Sequence, residues 1–358
     1  MTSAMCGSSV IRLGALGAIA LLTIASAPTA RSQVVPSLDT PLPAWVAARS
    51  HAAPNTLPDF ATPTERARVF GTMLQSLLER NWPQAATLAR SISYRLVMVR
   101  DGTHTFIAAS DESGTGRDPS IILNLDSRRD VIVGAPHMPF EPGTGEQAAI
   151  FLRDLAGRAA IISGAHRCAS RSFTRCDGKT EVCGGGLQDY RSSDPGHNVE
   201  TLYHLAHVVF ASRWPNAVVI SLHGMREDTE GVRTSIIISN GVRATDANLQ
   251  TPATRLRQAL GTTIAQSGLI VSCNFPGDAT FKFRPLCGYT NVQGRYVNGG
   301  SDACRASGEQ GAGRFIHIEQ DWNVLGPYAE RWGQIASHPY NRAYINALAT
   351  ILPPTRGP

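Results

Sequence analysis

The sequence predicts an α/β protein: a mostly parallel mixed sheet with helices on both faces, plus a helix and a β-hairpin at the N-terminal side. Three observations predict it. From about residue 130 onward, short runs rich in Val and Ile alternate with stretches of helical periodicity, as strands do with crossover helices. The chain has 358 residues, 42% apolar and 17% charged, which is enough to bury a large core. No internal repeat interrupts this pattern.

Residues 1–32 read as a secretory signal peptide. Arg12 supplies a weak positive start, "LGALGAIALLTIASA" an apolar run, and "APTARSQ" small residues for cleavage after Ala30 or Ser32. The run is too short for a stable membrane span. Residues 33–60 are Pro- and Ala-rich and predict an extended, poorly ordered lead-in. Residues 61–358 are expected to form a single α/β domain. "TPTERARVFGTMLQSLLERNW" has helical spacing, with Thr62 or Thr64 as cap. "YRLVMVRDGTHTFIAAS" predicts a hairpin turning at Asp101-Gly102. "SIILNL" and "DVIVGAP" are strands, "EQAAIFLRDLAG" a helix and "AAIISGAH" a strand. "NVETLYHLAHVVFASRW" is a helix, followed by the strands "AVVISLHG" and "TSIIIS". The helix "TPATRLRQALGTTIAQSG", the strands "LIVSC" and "RFIHIEQDW", and the helix "NRAYINALATIL" complete the order.

The net charge of +5 is spread along the chain, with no basic run interleaved with aromatics, so a nucleic-acid partner is not expected. Cleavage of the signal removes Cys6 and leaves Cys168, Cys176, Cys183, Cys273, Cys287 and Cys304. An even set in an exported chain predicts disulfides, and the spacings lack the paired C-x-x-C of a zinc knuckle. Cys176 with Cys183, and Cys287 with Cys304, would close polar, Gly-rich loops. The compartment expected is periplasmic or extracellular.

Ligands of open α/β sheets bind beyond the carboxyl ends of strands. Three strand runs end in histidine there: "VIVGAPH" at His137, "AAIISGAH" at His166 and "AVVISLHG" at His223; "RFIHIEQ" adds Glu319. Zinc-dependent hydrolysis needs three N or O ligands and one further carboxylate to take a proton from water. His137 and His223 supply two nitrogens, and the turn "APHMPFEPGTGEQA" offers Glu141 or Glu146 as the third ligand. Glu141 is close in spacing. Glu146 falls in a helix's first turn, where it also suits the macrodipole, with Thr144 and Gln147 able to form a capping box. The residues leave that choice open. Glu319, on another strand, is the candidate base, with His317 on the same face. His204 and His207 read as ordinary residues of an amphipathic helix.

The turn "APHMPFEPGTGEQA" resembles the "PHGG…EPGT" turn of poly-γ-glutamate hydrolases, which group with zinc carboxypeptidases and N-formylglutamate amidohydrolases. The resemblance spans roughly residues 130–325 through short motifs. It implies a phosphorylase/hydrolase-like fold, a Zn2+ cofactor held by His137, Glu141 or Glu146, and His223, and Glu319 as base. It also implies that Arg167, His197 and Asn198 grip a substrate carboxylate. The departure is local: Met-Pro-Phe stands where the hydrolases carry glycines, and the turn is one residue shorter.

The function this implies is a secreted zinc-dependent amidohydrolase or carboxypeptidase-like enzyme acting on a small peptide or γ-glutamyl-type substrate. The alternative is an exported, non-catalytic ligand-binding protein on the same scaffold, since fold alone does not secure activity. A metal-free serine hydrolase is disfavoured by the lack of a G-x-S-x-G elbow.

Overall fold

The computed structural model describes residues 35–60, 62–226, 235–263, 270–278, 284–306, 311 and 313–355. The predicted signal peptide lies outside the described residues. Among the described residues, ten strands form one mixed sheet. They are β1 (Ser37–Asp39), β2 (Tyr94–Asp101), β3 (His104–Asp111), β4 (Ser120–Asn124), β5 (Val131–Ala135), β6 (Ala159–Ile162), β9 (Val218–Gly224), β10 (Ile236–Ser239), β11 (Ile270–Ser272) and β12 (Phe315–Gln320). Their order is β1-β2-β3-β4-β6-β5-β9-β12-β10-β11. The central run β6-β5-β9-β12 is parallel, and β2, β3 and β4 join it antiparallel on one side. Two short strands, β7 (Lys179–Thr180) and β8 (Gln188–Asp189), pair as a separate ribbon.

Helices cover both faces because each central strand is apolar on both. On β5, Val131, Val133 and Ala135 enter one core and Ile132 the other. The first core lies under α1 (Leu42–Ala47), α4 (Thr144–Asp154), α6 (Pro252–Thr263), α8 (Trp322–Arg331) and α9 (Pro339–Ile351). The second lies under α2 (Thr64–Leu78), α3 (Trp82–Ser91) and α5 (Leu202–Arg213), with Val297 of α7 (Val292–Val297) at its border.

The second core changes character along the central strands, and this places the site. Val219 and Phe315 are apolar and buried, but the next residues on the same face are Ser221 and His223 on β9, and His317 and Glu319 on β12. Register sets His317 beside Ser221 and Glu319 beside His223. Buried polar residues therefore replace buried apolar ones at the carboxyl half of two adjacent strands. The chain leaves β5 through α4 toward β6, on one side of β5, while β9 leads away toward β10 on the other. The gap between β5 and β9 is thus a topological switch point, where an open sheet leaves a crevice.

Four expectations need correction. Neither Thr62 nor Thr64 caps α2, whose N-cap is Pro63 with no side-chain capping bond. The lead-in is docked: β1 pairs parallel with β2, and α1 buries Leu42, Trp45 and Val46 against α4. The cap of α4 is Gly143, at φ 93°, with no side-chain capping bond, so the Thr144–Gln147 box does not form. Gln147 instead exchanges amide hydrogen bonds with Gln320 on the neighbouring strand edge. A side chain at Gly143 would meet the Leu325 carbonyl at 2.6 Å, which adds to its backbone requirement. The disulfides join Cys168–Cys183, Cys176–Cys304 and Cys273–Cys287 rather than the expected neighbours. Among the described residues no helix is long and apolar enough to cross a membrane.

Candidate metal centre

The turn after β5 brings His137 and Glu141 together. The backbone N–H groups of Phe140 and Glu141 both donate to the His137 carbonyl, at 2.7 and 2.9 Å, folding the chain so that the two side chains meet. Glu141 Oε1 lies 2.9 Å from His137 Nδ1, and its Oε2 accepts from the Gly224 backbone N–H at 3.1 Å. Across the switch point, His223 Nδ1 faces His137 Nδ1 at 3.2 Å and Glu141 Oε2 at 3.6 Å. All three residues are buried, and each offers a ligand atom within 4.8 Å of the others.

Asp194 completes this arrangement, and the sequence reading missed it. It sits in the long excursion between β6 and α5 and is fully buried. Its Oδ1 accepts from His137 Nε2 at 2.8 Å and from His197 Nδ1 at 2.9 Å. Its Oδ2 accepts from Arg167 Nε and Nη2 at 2.9 and 2.6 Å. A Cβ at Gly196 would stand 3.0 Å from His137 Nε2, so the glycine lets this loop close over the imidazole. Gln293 fastens the same loop by donating to the Pro195 carbonyl at 2.8 Å.

The second half of the site is on β12. His317 Nε2 lies 3.1 Å from Glu319 Oε1, and the His317 and His223 rings are 4.3 Å apart between centroids. His223 Nε2 is held by Ser221 Oγ at 2.9 Å. Burial raises the Glu319 carboxyl above the usual range, against the opposing pull of His317. Burial holds His223 well below its ordinary value, reinforced by the neighbouring His317 and His137. At His137, burial and Arg167 oppose protonation, but Glu141 and Asp194 outweigh them and take it up to about 9. Asp194 is held well below the carboxylate range: burial pushes upward, and Arg167, His197 and His137 overcome it. Burial brings His197 down to about 4, so its ring is neutral near pH 7.

No family model and no curated protein matches the chain. Among solved structures it is similar to an N-formylglutamate amidohydrolase from Ralstonia eutropha JMP134, with 9% sequence identity and a TM-score of 0.35. The alignment covers 66% of this chain and 97% of that one. A likeness at that level settles neither fold nor chemistry, so the side chains carry the functional argument.

Those side chains sort the candidates. His137, Glu141 and His223 fall in one buried group, and Glu319 falls in a second with His223 and His317. Glu146 does not join them. It is buried in the first turn of α4, its Oε2 has no partner, and it belongs to none of the His/Asp/Glu groupings among the described residues. Arg167 reaches the site, but as the internal partner of Asp194, with Nη1 3.6 Å from Glu141; two of its donors are not offered to a substrate. Asn198 is a loop holder: its amide donates to the Ser192 carbonyl at 2.7 Å and its oxygen accepts from Glu200 N at 3.0 Å. His197 stays at the site, stacked on Tyr190 with centroids 3.6 Å apart. His166, four residues beyond the end of β6, is partly exposed and in none of the ligand groupings among the described residues, its Nδ1 accepting from Cys168 N at 3.0 Å.

The donor chemistry fits a divalent cation. Two imidazole nitrogens facing each other at 3.2 Å beside a carboxylate need a shared proton or a cation between them. The far nitrogen of each ring is already fixed, by Asp194 and by Ser221, which is how ligating histidines are usually oriented.

Proposed function

We propose that the protein is an exported, zinc-dependent hydrolase of amide bonds. His137, Glu141 and His223 would hold the ion, and Glu319 would be the base. The observation that carries this reading is the buried His137–Glu141–His223 group with a separate carboxylate, Glu319, in register on the adjacent strand. Two nitrogens and one carboxylate oxygen leave a fourth tetrahedral position open, the donor pattern of a catalytic site rather than a structural one. When bound, zinc polarises a carbonyl and makes water easier to deprotonate.

The chain's own residues supply the rest. Glu319 takes a proton from the attacking water and delivers it to the leaving nitrogen, so that amide and water give acid and amine. Its raised pKa suits both halves of that task, since a base nearer neutrality also releases its proton as an acid. His317 holds one Glu319 oxygen in place and leaves the other to the water. Asp194 fixes the His137 tautomer, leaving Nδ1 for the ion, and Arg167 balances the buried negative charge. Three disulfides support an oxidising compartment, periplasmic or extracellular. A small peptide or γ-glutamyl amide remains the proposed substrate type, with its carboxylate held elsewhere than on the Arg167 fork.

The test is Glu319→Gln in the zinc-loaded protein against a panel of N-acyl amino acids and γ-glutamyl amides. Zinc content is expected to stay at the wild-type level while turnover of any amide cleaved by the wild type drops at least about 1,000-fold. Full activity of the variant would remove Glu319 from the mechanism. Stoichiometric zinc with no amide cleaved would instead favour the binding-protein alternative.

A further inference from the structure

Between the ligands His137 and Glu141, the chain places Met138, Pro139 and Phe140. The two large apolar residues go opposite ways. Met138 is buried and joins the core beneath α1 and α4. Phe140 is 38% exposed and belongs to none of the hydrophobic clusters of the described residues. Its backbone is not free to wander, because its N–H is bonded to the His137 carbonyl. The ring is braced as well. The His166 ring meets it edge-on at 5.1 Å, and the Arg167 guanidinium carbon lies 5.7 Å from its centroid. That guanidinium in turn is 3.6 Å from Glu141. A rigid, half-exposed aromatic ring therefore stands one side-chain layer from the proposed ion, contributing little to the core.

We propose that Phe140 is a specificity residue: its exposed ring receives a flat or bulky apolar group carried next to the scissile amide. This rests on the metal-dependent reading above and adds the substrate feature that the site selects. A neighbouring ring is attracted both by the apolar area removed from water and by ring–ring contact. Arg167 cannot take this selecting role through Nε and Nη2, which Asp194 occupies. Recognition at the Phe140 ring itself is by shape and apolar surface.

The experiment uses the zinc-loaded protein and two metal-directed probes with the same head group, acetohydroxamate and phenylacetohydroxamate, in calorimetric titrations. Wild type is expected to bind the ring-bearing probe about tenfold more tightly than the methyl one. Phe140→Ala should abolish that preference while keeping acetohydroxamate within about twofold of wild type, and Phe140→Leu should retain part of it. Equal binding of the two probes by wild type, or an undiminished preference in Phe140→Ala, overturns the assignment of Phe140 alone. Failure of wild type to bind either hydroxamate overturns the metal reading and this inference with it.

Discussion

Asp194→Asn perturbs the site through a residue that would not touch the ion. In the native protein one carboxylate serves three partners: His137 Nε2, His197 Nδ1 and the Arg167 fork. An amide of the same shape keeps one acceptor oxygen but turns a donor NH2 toward either an imidazole N–H or a guanidinium. It also removes the charge opposite Arg167, which is itself buried. Breaking a buried ion pair from one side costs about 3–5 kcal/mol, because the remaining charge is left uncompensated. For a domain of this size that corresponds to roughly 4–7 °C in melting temperature. Losing the carboxylate behind a ligating histidine lowers metal affinity roughly 10–100-fold. The assays are zinc competition against a chromophoric chelator and thermal unfolding of the metal-free protein. Adding Arg167→Met to Asp194→Asn should recover most of the stability and none of the zinc affinity. Zinc affinity within twofold of wild type in folded Asp194→Asn would refute the orienting role.

Other predictions follow from single features. Glu146→Gln should leave zinc content unchanged and raise or preserve the melting temperature at pH 7–8. Burial raises the Glu146 carboxyl, so its ionisation works against the fold as pH rises above the ordinary carboxylate range. Loss of zinc in that variant would exchange the ligand roles of Glu141 and Glu146. Burial brings His204 down to about 4, so the unfolded chain binds the proton first as pH falls below about 6.5. That group should cost about 2 kcal/mol of stability between pH 7 and pH 5. Urea titrations of His204→Gln at the two pH values should show a correspondingly flatter dependence; an unchanged slope would show that His204 is not held neutral. Of the three disulfides, Cys176–Cys304 spans the longest stretch, 128 residues. Replacing both cysteines with serine should cost about 4–5 kcal/mol, against about 3 kcal/mol for either of the shorter loops, measured by denaturant unfolding.

Much of the fold was legible because the central strands are short apolar runs bounded by turn residues. "DVIVGAP" and "TSIIIS" form strands within a residue or two of their sequence limits, while "AAIISGAH" starts as expected at Ala159 but ends at Ile162, four residues before His166. The lead-in was not legible. β1 is three exposed residues held by backbone pairing, and α1 is six residues with a proline, so neither carries a periodic signal. Strand order and the Cys176–Cys304 link depend on proximity across long stretches of chain, which spacing does not encode.

At the site, four histidine- or glutamate-bearing strand ends pointed to His137, His166, His223 and Glu319 because parallel strands deliver their carboxyl ends to one edge; all but His166 fall in the His/Glu groupings there. The choice of Glu141 became visible only with the turn's own hydrogen bonds, which swing it back onto His137. Asp194 was overlooked because Asp-Pro-Gly reads as an ordinary turn. The available signal was the length of the excursion around it. Nearly forty residues separate β6 from α5, far more than the two elements need as a connection. Arg167 was found, but its pairing with Asp194 was not, since sequence does not show that a buried carboxylate already faces it.

The central claim is that imidazoles from β9 and from the turn after β5 share one ion with Glu141. Elemental analysis of the purified, zinc-reconstituted protein beside His223→Gln tests it most directly, with circular dichroism confirming that both are folded. The account predicts about one zinc per wild-type chain and less than about a tenth of that in the variant. A folded wild type that retains no zinc, or a variant that retains it all, would contradict it.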